Sequence, residues 1–218
     1  MRRVVIPEFL DSDAGTPEEI RTGIDDLRNI NRWFGGVNTT RRLIEAVTKN
    51  SGSRDLTMLE VASGSGYVPF AVQKTMQVPN IKVTLLDRAA THLNGYRPSV
   101  AAEATSLPFR DASFDLVSCC LFAHHLEPDE LAVFGKEALR VCRTALIIND
   151  VRRSALHLGL VYAGLPLFRS RLTRHDAPAS VRRAYTPREM AEVFSHVGAA
   201  GISVFRSYLF RMGVILWK

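Results

Sequence analysis

The stretch Leu59-Glu60-Val61-Ala62-Ser63-Gly64-Ser65-Gly66 constrains this chain more than any other feature. An apolar run from Leu56 to Val61 feeds into a turn of small residues, and a helical pattern follows from about Tyr67 to Met76. Small residues at such a junction let the backbone approach a ligand closely, and the N-terminus of the next helix offers unpaired amide donors. Such a unit must lie beside further strands. The apolar runs Ile81–Leu86, Val100–Ala102, Phe114–Cys119 and Ala145–Ile148 supply them. Between them lie a helical or irregular stretch to about Asn94 and a helix Pro128–Arg140, whose Leu131, Phe134 and Leu139 turn inward. Continuously apolar strands alternating with helices predict an α/β fold with a mostly parallel sheet covered on both faces.

The flanks read differently. An irregular arm opens the chain. Thr16 is then an N-cap, with Pro17 at the first helical position and Glu19 closing a capping box. That helix runs to about Trp33 and stops at Gly35-Gly36. Asn38-Thr39-Thr40 opens a second helix with Leu43, Ile44 and Val47 as its apolar stripe. At the other end, Ala155 to Arg169 is an apolar, helical segment. Thr186-Pro187-Arg188-Glu189 opens a capped helix that runs to His196 and ends at Gly198. Ile202–Phe205 and Tyr208–Trp217 read as an antiparallel pair at the sheet edge. With 218 residues, the chain suits one domain.

Charge is unevenly spread. From Val151 onward there are 11 Lys/Arg against Asp176, Glu189 and Glu192, a surplus of +8, whereas residues 1 to 150 carry −2. A near-neutral body is thus joined to a basic region suited to an anion, a nucleic acid or a membrane surface. Cys119, Cys120 and Cys142 form neither a closed disulfide set nor a zinc pattern. The first residues lack the apolar core of a signal peptide, and no apolar run spans a bilayer, so a cytoplasmic location is expected.

Two further features sharpen the Gly-rich turn. Asp87 ends the second strand about 20 residues past the last glycine, where a carboxylate can accept both hydroxyls of a ribose. The sequence Glu103-Ala104-x-x-Leu107-Pro108-Phe109 is followed at once by Phe114-Asp115-Leu116-Val117. Together these resemble the class I S-adenosylmethionine (SAM) methyltransferases, and most closely the type 11 branch that includes ubiquinone and menaquinone biosynthesis methyltransferases. The family's acid-x-Gly/Ala-x-Gly-x-Gly matches Glu60, Ala62, Gly64 and Gly66, with Ser63 between. Its acid after strand two matches Asp87. Its Gly-Asp-Ala-x-x-Leu-Pro-Phe matches Ala102 to Phe109, with Glu103 one methylene longer than the usual Asp. The resemblance covers about residues 38 to 150.

The resemblance implies a Rossmann-like, seven-stranded, mostly parallel sheet with an antiparallel C-terminal hairpin. It implies SAM as cofactor and S-adenosylhomocysteine (SAH) as product; no metal is expected, because the Asp that a metal-dependent catechol-type site wants after strand four is missing. Gly64 and Gly66 should line the methionine part, with Glu60 near its amino group. Asp87 should hold the ribose and Arg88 flank the adenine. Glu103 and Ala104 should reach the adenine amino edge, and Cys119 should sit beside the sulfonium. The single domain then divides into N-terminal helices (1–50), a SAM-binding core (51–150), an apolar and basic lid (151–185) and a closing helix with strand pair (186–218).

Methyl transfer needs alignment and, for a weak nucleophile, a base. His124 and His125 stand just beyond strand four, where open parallel sheets meet their ligands, and either suits a base at neutral pH. The apolar lid favours a small phenol, quinol or polyketide-like acceptor, methylated on oxygen before carbon. Asp150 and Tyr162 are candidate pocket residues. Arg32 could meet the SAM carboxylate and Trp33 could stack on the acceptor, or both could simply pack the helix. Two other functions compete. An RNA-directed methyltransferase would use Arg169, Arg171, Arg174, Arg182 and Arg183, but no aromatic residues interleave them, and Ser118-Cys119-Cys120-Leu121 lacks the Asn/Asp-Pro-Pro-aromatic stretch of base methylation. A nicotinamide-dependent oxidoreductase wants a third glycine where Pro69 stands.

Overall fold

A computed structural model describes residues 1–12, 14–49, 55–76, 80–93 and 98–218. The expected position Asn94 and the boundary at residues 50 and 51 lie outside them. Seven strands form one sheet: β1 (Asp55–Val61), β2 (Asn80–Asp87), β3 (Ser99–Ala101), β4 (Phe114–Cys120), β5 (Cys142–Val151), β6 (Gly201–Ser207) and β7 (Arg211–Trp217). Their order is β3-β2-β1-β4-β5-β7-β6. The first five strands run parallel, and β7 enters antiparallel between β5 and β6. The order reverses between β1 and β4, and a doubly wound sheet binds its ligand at the carboxyl ends of the strands beside that switch.

Helices α1 (Pro17–Trp33), α2 (Gly36–Thr48) and α3 (Tyr67–Thr75) precede α4 (Pro128–Val141), α5 (Ala155–Gly164), α6 (Arg171–Arg183) and α7 (Pro187–Phe194). The Thr16 capping box forms as its residue types predict. Helix α2 starts two residues before Asn38, because Gly35 takes the left-handed conformation (φ 82°) and turns the chain at once. The alternating side chains of β1 build both cores. Leu59 and Val61 pack with Phe134 and Phe194 on the α4/α7 face, and Leu56 and Met58 with Leu43 and Ile44 on the α2/α3 face. Two elements differ from expectation. Strand β5 is ten residues long rather than four, because β7 pairs along it from Ala145 to Val151. The basic stretch 171–183 is a helix despite Pro178; it is capped by Ser170, whose hydroxyl accepts from Leu172 N, and buries Leu172, Ala179 and Val181.

Candidate active site

The Gly-rich turn leaves β1 through three left-handed residues, Ala62 (φ 51°), Gly64 (φ 50°) and Gly66 (φ 71°). Ser63 N donates to Leu86 O at 3.0 Å, which ties the turn to the end of β2. The two glycines answer different demands. A Cβ on Gly66 would strike Phe70 at 2.6 Å and Leu85 at 2.8 Å, so packing requires glycine there. A Cβ on Gly64 would meet no atom within 4 Å, so its bare backbone faces open cavity. Asp87 Oδ2 accepts from Gly64 N at 2.8 Å, and Oδ1 accepts from Ala89 N at 3.0 Å. Burial alone would raise the Asp87 carboxyl, but His92 and these amides hold it below its ordinary value.

Glu60 is 2% exposed, and burial pushes its pKa up to about 7. Among the described residues, Glu60 Oε2 and Ser63 Oγ are buried without a hydrogen-bond partner. Such atoms are costly in a finished core and ordinary in a site that receives a ligand. An ionised carboxylate at the end of β2, an open glycine face and a buried unpaired acid fit a nucleoside with a cationic amino-acid tail.

The second half of the site grows from the end of β4. Leu121 turns the chain (φ 56°), and a 3-10 turn carries Ala123 to His125. His124 is 2% exposed. Its amide donates to Asp150 Oδ2 at 2.9 Å, and its Nδ1 lies 2.7 Å from Asp150 Oδ1. Its Nε2 faces Glu8 Oε1 at 3.4 Å. Burial alone would lower this imidazole, but the charge and hydrogen bond of Asp150, with Glu8, raise it to about 10. Burial would also raise Asp150 and Glu8, yet His124 holds both below their ordinary values. His125 differs. Its side chain is 18% exposed, its Nδ1 lies 2.9 Å from Asp11 Oδ2, and its Nε2 stands 3.9 Å from Glu8 Oε2. Arg183 supports this corner through Asp11 Oδ2 at 3.4 Å and through the His125 carbonyl.

Glu8 and Asp11 come from the N-terminal arm, which sequence reasoning left as irregular chain. The arm has no regular element of its own beyond a short 3-10 turn at Leu10–Ser12, so periodicity carries no signal for it. It is nonetheless stitched down: Val4 N donates to Arg182 O at 3.1 Å, Phe9 N to Asp176 Oδ1 at 2.8 Å and Leu10 N to Asp176 Oδ2 at 3.1 Å. Ser180 Oγ donates to Glu8 Oε1 at 2.9 Å.

These groups share one cavity of about 1130 Å³, larger than the roughly 300–1,000 Å³ of ordinary single-ligand pockets. Of the expected residues, Glu60, Ala62, Ser63 and Gly64 line it, as do Asp87, Arg88, Glu103, Ala104 and both histidines. Other expectations need correction. Cys119 is 1% exposed and points into the α4/α7 core; strand alternation brings Cys120 to the cavity instead. Gly66 and Asp150 stand behind the wall. Arg32 and Trp33 lie outside the cavity, the guanidinium 4.9 Å from the centroid of an indole that is 64% exposed. Tyr162 faces Arg182, whose Nη2 donates to its hydroxyl at 3.1 Å, while its neighbours Leu160 and Val161 line the cavity. The basic residues of α6 are largely engaged within the chain: Arg171 pairs with Glu19, Arg174 bonds Phe168 O, and Arg183 meets Asp11.

This fold, with its Gly-rich turn and strand-end carboxylate at the switch point, is similar to that of SAM-dependent methyltransferases. Residues 59–145 match the family model described as "Methyltransferase domain". No curated protein sequence matches the chain. Among solved structures, a SAM-dependent methyltransferase from Aquifex aeolicus aligns with a TM-score of 0.57 at 19% identity, covering 79% of this chain and 88% of that one. A plantazolicin methyltransferase, solved with SAH and a triazolic desmethyl analogue of plantazolicin, aligns with a TM-score of 0.70 at 12% identity, covering 96% and 93%. At these identities the likeness is one of fold. Among the described residues no helix is long and apolar enough to cross a membrane.

Proposed function

We propose that this methyltransferase acts on a small, largely apolar or aromatic acceptor, at an oxygen such as that of a phenol or quinol before a carbon, with His125 as the base. The observation that carries the base assignment is the contrast between the two histidines. An imidazole whose pKa is about 10 is already protonated at neutral pH and accepts nothing, so His124 is a positioning residue. His125 lines the cavity, and its Nδ1 is held by Asp11, which leaves Nε2 to take a proton. When bound, SAM supplies a methyl group on a sulfonium. Asp87 then receives the ribose hydroxyls, Glu60 the ammonium of the amino-acid tail, Arg88 flanks the adenine, and Glu103 with Ala104 meets its amino edge. Leu160, Val161 and Phe168 give the acceptor side an apolar wall.

The test is a panel of phenols and quinols with labelled SAM. His125→Ala should reduce turnover by roughly 10²–10⁴-fold while SAH affinity stays unchanged. Equal turnover in the variant and the wild type would remove the base assignment.

A further inference from the structure

Arg211 opens β7 and is one of the largest fully buried side chains of the protein, 1% exposed. Its Nε donates to Phe34 O at 3.0 Å, its Nη2 to Asn31 Oδ1 at 3.1 Å, and its Nη1 faces Cys120 Sγ at 3.9 Å. None of these partners carries a formal charge, and among the described residues no carboxylate forms an ion pair with Arg211 within 4.0 Å. A guanidinium has five N–H donors; each of its three nitrogens has one partner here, Nη1 only the weak acceptor Cys120 Sγ, so two N–H groups are left over. Removing a cation from water costs several kcal/mol, and the carbonyl end of α1 offsets only part of that. The surroundings add cations rather than anions. Arg152 lies over the Phe210 ring at 5.5 Å with its buried Nε unpaired, and Arg206 stands near enough to lower the Arg152 pKa.

The backbone before Arg211 is strained. Leu209 (φ 47°) and Phe210 (φ 64°) are consecutive non-glycine residues in the left-handed region, and each of the three residues Leu209–Arg211 lines the cavity. Strain of this kind persists where the surrounding structure holds a group for a purpose.

We infer that Arg211, steadied by Asn31, is the seat of a carboxylate within the cavity. The carboxylate belongs either to the amino-acid tail of the cofactor or to the acceptor, and the inference rests on the methyltransferase reading of the same cavity. The acceptor source would narrow the substrate class to rings that bear an acid.

Calorimetry separates the sources. Three probes are titrated into wild type and Arg211→Gln: SAH, 5′-methylthioadenosine (the thioether nucleoside without the amino-acid tail), and benzoate added to SAH-saturated protein. A loss of about 10- to 100-fold in SAH affinity, with methylthioadenosine unchanged, supports the cofactor source. Unchanged SAH affinity with benzoate binding lost supports the acceptor source. SAH and benzoate behaving alike in variant and wild type overturns the inference. If Arg211→Gln does not fold, Asn31→Asp serves, because it supplies the carboxylate from within the chain: the same loss of binding is expected with a melting temperature no lower than wild type, and retained binding overturns the inference. Wild-type protein that binds no SAH contradicts the methyltransferase reading itself and removes the inference with it.

Discussion

Two adjacent histidines, alike in sequence, come to have opposite chemistry through what surrounds them. His124 is clamped between Asp150 and Glu8, and its folded pKa of about 10 lies above its ordinary 6.5. A raised imidazole stabilises the fold fully below the unfolded pKa, and that contribution is lost as pH rises through the folded value. Thermal melts should therefore show the wild type losing stability between about pH 7 and 10 relative to His124→Gln. A constant difference across that range would remove the clamp. Glu60 gives a second pH signature. Its pKa of about 7 means that the form able to attract an ammonium group is lost as pH falls. SAH affinity should weaken on acidification through about pH 7 in wild type and vary less in Glu60→Gln; equal profiles would contradict the assigned contact. Sequence pointed to Glu60, Asp87 and the histidine pair, because these sit at strand ends with fixed spacing. It could not separate His124 from His125, since Glu8, Asp11 and Asp150 reach them from 26 to 116 residues away along the chain.

At the scale of elements, capping residues and apolar runs were enough to place α1, α3, α4, α7 and the parallel strands. The segments that shape the acceptor side were harder to read. Helix α6 carries a proline and a dense charge run, and its stability comes from tertiary partners rather than from its own propensity. One such partner is Asp26, 5% exposed in the middle of α1, whose Oδ2 accepts from Arg169 N at 3.0 Å and Ser170 N at 2.9 Å. This single carboxylate satisfies backbone donors at the start of α6 and ties that helix to α1. Asp26→Ala leaves both donors without this acceptor, the Ser170 amide buried, at about 1–3 kcal/mol, which lowers the melting temperature by a few to about ten degrees in a domain of this size. A melting temperature within a degree of wild type would show that α6 does not depend on this contact. The N-terminal arm belongs to the same group of tertiary-determined pieces. It brings Glu8 and Asp11 to the histidines only because Asp176, Ser180 and the carbonyl of Arg182 hold its backbone and side chains.

Across the whole molecule, the division between a near-neutral body and a basic last third has a physical meaning. Much of the positive charge is spent in holding the acceptor side together, as in Arg153 with Glu189 and Arg171 with Glu19. Arg152, Arg206 and Arg211 gather around the β6–β7 turn beside the cavity. The parallel core of the sheet followed from the alternation of strands and helices, and such a sheet takes its ligands at the carboxyl ends of the strands. The far wall of the cavity did not, because it is assembled from the N-terminal arm and from residues of the last third that lie outside that alternation. Calorimetric titration of SAM into wild type and Asp87→Ala tests whether the Gly-rich turn and Asp87 form a SAM site. The account predicts saturable binding by wild type and an affinity at least about tenfold lower in the variant, from the loss of charge-assisted hydrogen bonds to the ribose. Absence of binding by wild type, or equal affinity in the two proteins, would contradict it.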